Sequence, residues 1–152
     1  MVAHPSSFSL EELKRFPPRR QITNHVCEQG WSFIAEWIGV PLSYMLNLVG
    51  VLPRAKYVVV LPFENGEPPK SWWESIDMVD AWHPQTLLAY GMNGPELPMR
   101  HGAPVRLKIP RQLGYKSVKY LRRITVTETV KNIGKGVGGS NVEHGYSWYA
   151  GI

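Results

Sequence analysis

At 152 residues, with 43% hydrophobic and 19% charged side chains, the chain has the length of one ordinary domain and enough apolar surface to bury a core. That balance excludes a disordered protein, and no apolar run reaches the length of a membrane span. Lys and Arg number 17 against 12 Asp and Glu, a formal charge of +5, which favours an anionic partner: nucleic acid, an acidic protein or a phosphorylated cofactor.

The first predicted element is a short helix. Ser9 and Glu12 form a capping-box pattern ahead of Leu10, Leu13 and Phe16, and Pro17-Pro18 stops it. An extended stretch runs from Ile22 to Val26, followed by a turn at Cys27 to Trp31. A second helix is signalled by Pro41 at its first position, with Leu42, Met45, Leu46 and Val49 at helical spacing and Gly50 as the stop. Ala55 to Leu61 is β-branched and almost wholly apolar, the pattern of a buried strand, and Pro62 to Lys70 reads as a loop. Leu87 to Met92 followed by Asn93-Gly94 is a hairpin signal, and Val105 to Ile109 and Ile124 to Val130 add strands. Few helices and several strands predict an α+β fold with mainly antiparallel sheet. We expect a single domain over residues 1–152, with a glycine- and lysine-rich flexible segment at 131–145.

Several features compete for the functional role. The tract Gly134-Lys135-Gly136-Val137-Gly138-Gly139 is a poor phosphate loop, because no lysine followed by serine or threonine enters a helix there. One cysteine with scattered histidines is weak evidence for zinc, which prefers four ligands in compact pairs. Cys27 alone reads as a small buried hydrophobe or as a nucleophile paired with a distant histidine. The basic residues Arg106, Lys108, Arg111, Lys116, Lys119, Arg122 and Arg123, interleaved with Tyr115 and Tyr120, suit single-stranded nucleic acid, a solvated strand face or a small phosphorylated ligand. Trp72-Trp73 with Glu74, Asp77 and Asp80 reads as a pocket wall, or as core packing beside surface acids.

Three stretches together decide among these readings. They are Thr23-Asn24-His25-Val26-Cys27-Glu28-Gln29-Gly30-Trp31-Ser32 continuing through Glu36 to Leu42, His83 to Gly94, and His101-Gly102-Ala103-Pro104-Val105-Arg106-Leu107 running on to Gly114-Tyr115-Lys116-Ser117-Val118-Lys119. In order and spacing they resemble the molybdopterin-binding domain of the sulfite oxidase family, which includes bacterial methionine sulfoxide reductase catalytic subunits. The resemblance implies the family's α+β fold and a molybdenum-molybdopterin cofactor. It assigns Cys27 as the protein's only ligand to molybdenum and as the catalytic residue, and His101, Arg106, Ser117, Val118 and Lys119 as cofactor-binding positions.

It further implies two-electron oxygen-atom transfer on a small sulfur-containing substrate, with a haem protein or cytochrome as electron partner. No CxxCH sequence attaches a haem to this chain. Under this reading nucleic acid is not the partner. The alternative is a non-catalytic remnant acting as a binding or interaction module.

Two departures stand out. The family domain carries a substantial segment before the LEEL-like helix, and this chain begins almost at that helix. Where sulfite oxidases have a tyrosine near the metal, this sequence has Trp72-Trp73. The opening MVAHPSSFSL has no basic region followed by an apolar one, so the chain as written is expected in the cytoplasm; a periplasmic place requires an export signal ahead of it.

Overall fold

The structure is a computed structural model, and it describes residues 1–63 and 71–152. Two antiparallel sheets share one apolar core. The first has the order β1(Arg19–Val26), β2(Ser32–Pro41), β5(Leu87–Met92), β6(Arg106–Lys108); the second has β4(Glu74–Asp77), β3(Tyr57–Pro62), β7(Leu121–Thr127). Ile38, Val40, Leu88 and Leu107 from the first sheet meet Val58, Val60, Ile76 and Val126 from the second, because alternate residues of each strand point to the same side. Helices α1(Leu10–Arg15) and α2(Leu42–Val49) close this core with Leu13, Leu42, Met45 and Leu46. Two short helices, α3(Met78–Trp82) and α4(Ser140–Glu143), complete the fold. No helix among the described residues is long and apolar enough to cross a membrane.

The sequence signals act where expected in several places. Ser9 and Glu12 cap α1 reciprocally: the Ser9 N–H donates to the Glu12 carboxylate at 2.7 Å and the Glu12 N–H to Ser9 Oγ at 3.2 Å. Gly50 ends α2 in the left-handed conformation at φ 67°. Pro41 occupies the cap position rather than the first helical one, because it is still the last residue of β2. Of the loop expected at 62–70, residues 64–70 lie outside the described residues.

Other expectations are corrected. The strand β2 carries no strong local signal, since Glu36 and Gly39 interrupt its apolar pattern, yet it pairs with both β1 and β5. Asn93-Gly94 does not join β5 directly to its next neighbour. Instead Met92 N–H donates to the Glu96 carbonyl, and Asn93 reaches back to Glu36 through both backbone and side chain. Only after the loop that holds Leu97 and a short 3-10 turn at Met99–His101 does β6 return to pair with β5. Within the segment 131–145, expected from composition to be flexible, residues 139–141 contact β4 and its approach: Ser140 N–H donates to the Trp73 carbonyl, Asn141 bonds the Glu74 carboxylate, and Gly139 bridges Glu74. Its glycines permit close approach to side chains, since a Cβ on Gly139 would overlap the Glu74 carboxylate.

A bulge shifts the β2–β5 register between Ile38 and Gly39. There a Cβ on Gly39 would overlap the Leu88 carbonyl oxygen and lie 2.7 Å from Ala89 Cα, both backbone atoms that have no rotamer to move. Gly39→Ala is therefore expected to lower stability by about 1–3 kcal/mol, read as an earlier urea midpoint at unchanged slope.

Candidate functional site

The β1–β2 hairpin delivers the only thiol. Its turn closes through the Cys27 N–H donating to the Trp31 carbonyl at 2.8 Å and the Gly30 N–H to the Cys27 carbonyl at 3.1 Å, with Gly30 at φ 91°. Cys27 is left half-buried at the open end of the sheet, with Sγ 3.3 Å from a Glu28 carboxylate oxygen. Burial pushes the thiol pKa above its ordinary value, and the Glu28 carboxylate adds to the rise.

The second contribution comes from the far edge of the same sheet. Alternation along β6 sends Leu107 into the shared core and turns Arg106 and Lys108 to the opposite face, where both cations stand over the buried Trp37 ring, at 5.2 and 5.4 Å from its centroid. Arg106 is 2% exposed. Its guanidinium donates to the His101 carbonyl at 2.9 Å and the Ser117 carbonyl at 2.8 Å, so β6 and the strap after it are clamped together. Ser117 Oγ accepts from the Ile109 N–H at 3.0 Å, fixing the strap a second time. Lys119 lies at the exposed rim and donates to the Arg100 carbonyl at 2.8 Å.

These pieces meet. A cavity of about 410 Å³ is lined by Cys27, Arg106, Ser117, Val118 and Lys119 together with His25, Trp31, Gly114, Tyr115 and Trp72. Five of the expected positions thus share one wall. His101 does not line it; its backbone carbonyl holds Arg106, while its ring pKa is lowered by burial and by the nearby Lys119, Arg106 and Arg100.

Two cations, Arg106 and Lys119, line the cavity against one carboxylate, Glu28. Among the described residues no carboxylate pairs with Arg106, Lys108 or Lys119. Burial, and then the neighbouring cation in the case of Lys108, depresses Arg106 to about 10 and Lys108 to about 7. His25 is held neutral, its pKa lowered to about 3 by burial and then by Lys108 and Arg106. Buried cations without a counter-charge are costly, and an anion in the cavity would supply what the chain does not.

The acids singled out in the sequence do other work. Glu74 is 1% exposed and paired with Lys116 at 3.1 Å, Asp77 caps α3, and Asp80 is bonded by Arg111 and Gln112. Of the tryptophan pair, Trp72 reaches the cavity and Trp73 is core. Among the described residues no group of three His, Cys, Asp or Glu gathers to hold a metal by itself. His25, Gly114 and Tyr115 were not singled out as site residues by sequence, although all three stand inside stretches that carry the resemblance.

The low Lys108 pKa has a measurable sign. The folded chain releases the proton near pH 7 and the unfolded chain holds it to about 10.4, so between those values the unfolded state binds more protons and stability rises with pH. In Lys108→Met this part of the slope is expected to vanish, checked by urea unfolding at several pH values across that window.

An α+β domain that brings a lone thiol and cations without carboxylate partners to one cavity is suited to receive an anion. Over residues 1–133 the chain matches the family described as "Oxidoreductase molybdopterin binding domain", and it belongs to that family. Its cofactor is accordingly molybdenum-molybdopterin.

The putative protein-methionine-sulfoxide reductase subunit YedZ1 of Azospira oryzae is 38% identical over 151 residues, covering 99% of this chain and 53% of that protein. The protein-methionine-sulfoxide reductase catalytic subunit MsrP of Pseudomonas syringae pv. tomato is 33% identical over 167 residues, covering 99% and 48%. Among solved structures, the sulfane dehydrogenase SoxCD of Paracoccus pantotrophus superposes with a TM-score of 0.76 at 28% identity, over 86% of this chain and 37% of that one. The chain spans about half the length of the relatives it matches.

Proposed function

We propose that this domain carries out two-electron oxygen-atom transfer on a small sulfur-containing substrate, with Cys27 as the ligand to molybdenum, Arg106, Ser117, Val118 and Lys119 as the residues that hold the pterin and its phosphate, and His101 behind them, its carbonyl holding Arg106. One observation carries the reading. The Cys27 sulfur and two cations without a paired carboxylate, Arg106 and Lys119, line the same cavity, although they lie some eighty to ninety positions apart in the chain. The donor set suits the group: a thiolate is a soft ligand, and arginine and lysine are strong donors to phosphate oxygens. When bound, the cofactor supplies the redox chemistry and the oxygen-atom transfer.

The chain's own residues bind and orient. Arg106 spends three N–H groups on the carbonyls of His101, Ser117 and Leu107, which leaves two for an anion and fixes the plane of the fork. Lys119 at the rim adds a second positive charge. Trp31, Trp72 and Tyr115 add aromatic surface to the cavity wall. A haem protein or cytochrome on another chain would exchange the electrons.

The test is a preparation from a host that makes the cofactor. It should be coloured, release a fluorescent pterin on oxidation, and reduce a sulfoxide with electrons from a reduced dye. A colourless, pterin-free protein from such a host overturns the reading and favours a non-catalytic binding module.

A further inference from the structure

His25 is held from both sides. Its ring is 7% exposed, lines the cavity and stands on the same sheet face as Trp37. On one side Nδ1 lies 3.4 Å from Lys108 Nζ, an amine 1% exposed whose other partner is the Asn24 carbonyl at 3.1 Å. On the other side the Nε2 edge abuts Gly114, itself a lining residue: a Cβ there would lie 2.6 Å from Nε2 and 3.2 Å from Cε1.

The direction of the buried contact follows from valence. While Lys108 is protonated its ammonium has donors and no acceptor, so the shared hydrogen bond runs from Nζ to a bare Nδ1, and the proton of the neutral ring resides on Nε2. A carbonyl at Asn24 occupies a second Nζ donor and leaves the lysine no freedom to leave. The glycine at 114 is what gives the Nε2 edge room.

We propose that Lys108 is a positioning residue that fixes His25 as its Nε2–H tautomer, so that the imidazole offers one directed hydrogen-bond donor to an acceptor atom of the bound pterin cofactor. The identity of that acceptor rests on the function proposed above; the tautomer does not. Lys108 itself stays behind the ring and does not line the cavity.

The experiment uses the cofactor-loaded chain with 15N-labelled histidine, studied below pH 7, with two-bond proton–nitrogen correlations assigned to His25. The parent is expected to show a single Nε2–H tautomer. Lys108→Met is expected to lose that single form and to retain several-fold less pterin after gel filtration, and Lys108→Arg, which restores an N–H donor, is expected to recover both. A parent ring protonated at Nδ1, or a tautomer unchanged in Lys108→Met, overturns the proposal. Should Lys108→Met fail to fold, the parent spectrum and the Lys108→Arg spectrum still decide it. A chain that carries no pterin but shows the Nε2–H ring removes the proposed function and leaves the lysine's positioning role standing, whereas a loaded chain with the other tautomer removes the positioning role alone.

Discussion

Cys27→Ser is expected to take molybdenum from near one atom per chain to near none, with the domain still folded. The side chain sits half-buried at a hairpin turn whose hydrogen bonds are all backbone, and its sulfur has Glu28 as its hydrogen-bond partner, so a smaller hydroxyl costs the fold about 0.5 kcal/mol or less. Its chemistry changes far more. A thiol must release its proton to bind a metal, and the resulting thiolate is a soft donor; a serine hydroxyl does neither near neutral pH. Metal analysis beside a thermal melt separates the two effects. Equal molybdenum in variant and parent, with both folded, would strip Cys27 of the role assigned to it.

Lys116→Met is expected to be the most damaging change to stability. Lys116 is fully buried, donates to the Glu74 carboxylate at 3.1 Å and the Ser75 carbonyl at 3.0 Å, and stands over the rings of Tyr115 and Trp148. Removing one partner leaves a carboxylate in the interior with only Asn141 to serve it, a loss of about 3–5 kcal/mol. For a domain of this length that corresponds to a fall in melting temperature of roughly 6–20 °C.

The sign with pH is set by Glu74. Burial already raises its pKa and Lys116 is the largest opposing influence, so without Lys116 the folded value climbs further. A raised folded value means the deficit grows as pH rises through it and shrinks below the ordinary carboxylate range. The double variant with Glu74→Gln should regain part of the loss, because the amide still accepts from Asn141. A Lys116→Met protein within about 1 kcal/mol of the parent would refute the pair's structural weight.

Local chemistry made much of this legible in the sequence. The capping box at Ser9 and Glu12, the apolar run of β3 and the Gly50 stop are decided by neighbours in sequence, and the structure realises them. Strand β2 escaped because a bulge and an outward Glu36 blur its alternation; its reasons for being a strand lie in its partners β1 and β5. Glu74 looked like a surface acid because the lysine that neutralises it is 42 positions away. The same distance effect hid His25 and Lys108, which meet across 83 positions. The order of three stretches located Cys27 and the basic strap, and the cavity joins them; the imidazole behind the turn emerged only in three dimensions.

The sheet order carries a consequence for biogenesis. The thiol belongs to the hairpin of the first two strands, while the cations arrive with the last strand of that sheet, which pairs only after β5 is in place. During synthesis the sulfur therefore leaves the ribosome well before the guanidinium that shares its cavity. A pterin reaching the nascent hairpin would meet the sulfur without Arg106 or Lys119, so the cavity that joins them exists only once the sheet is complete.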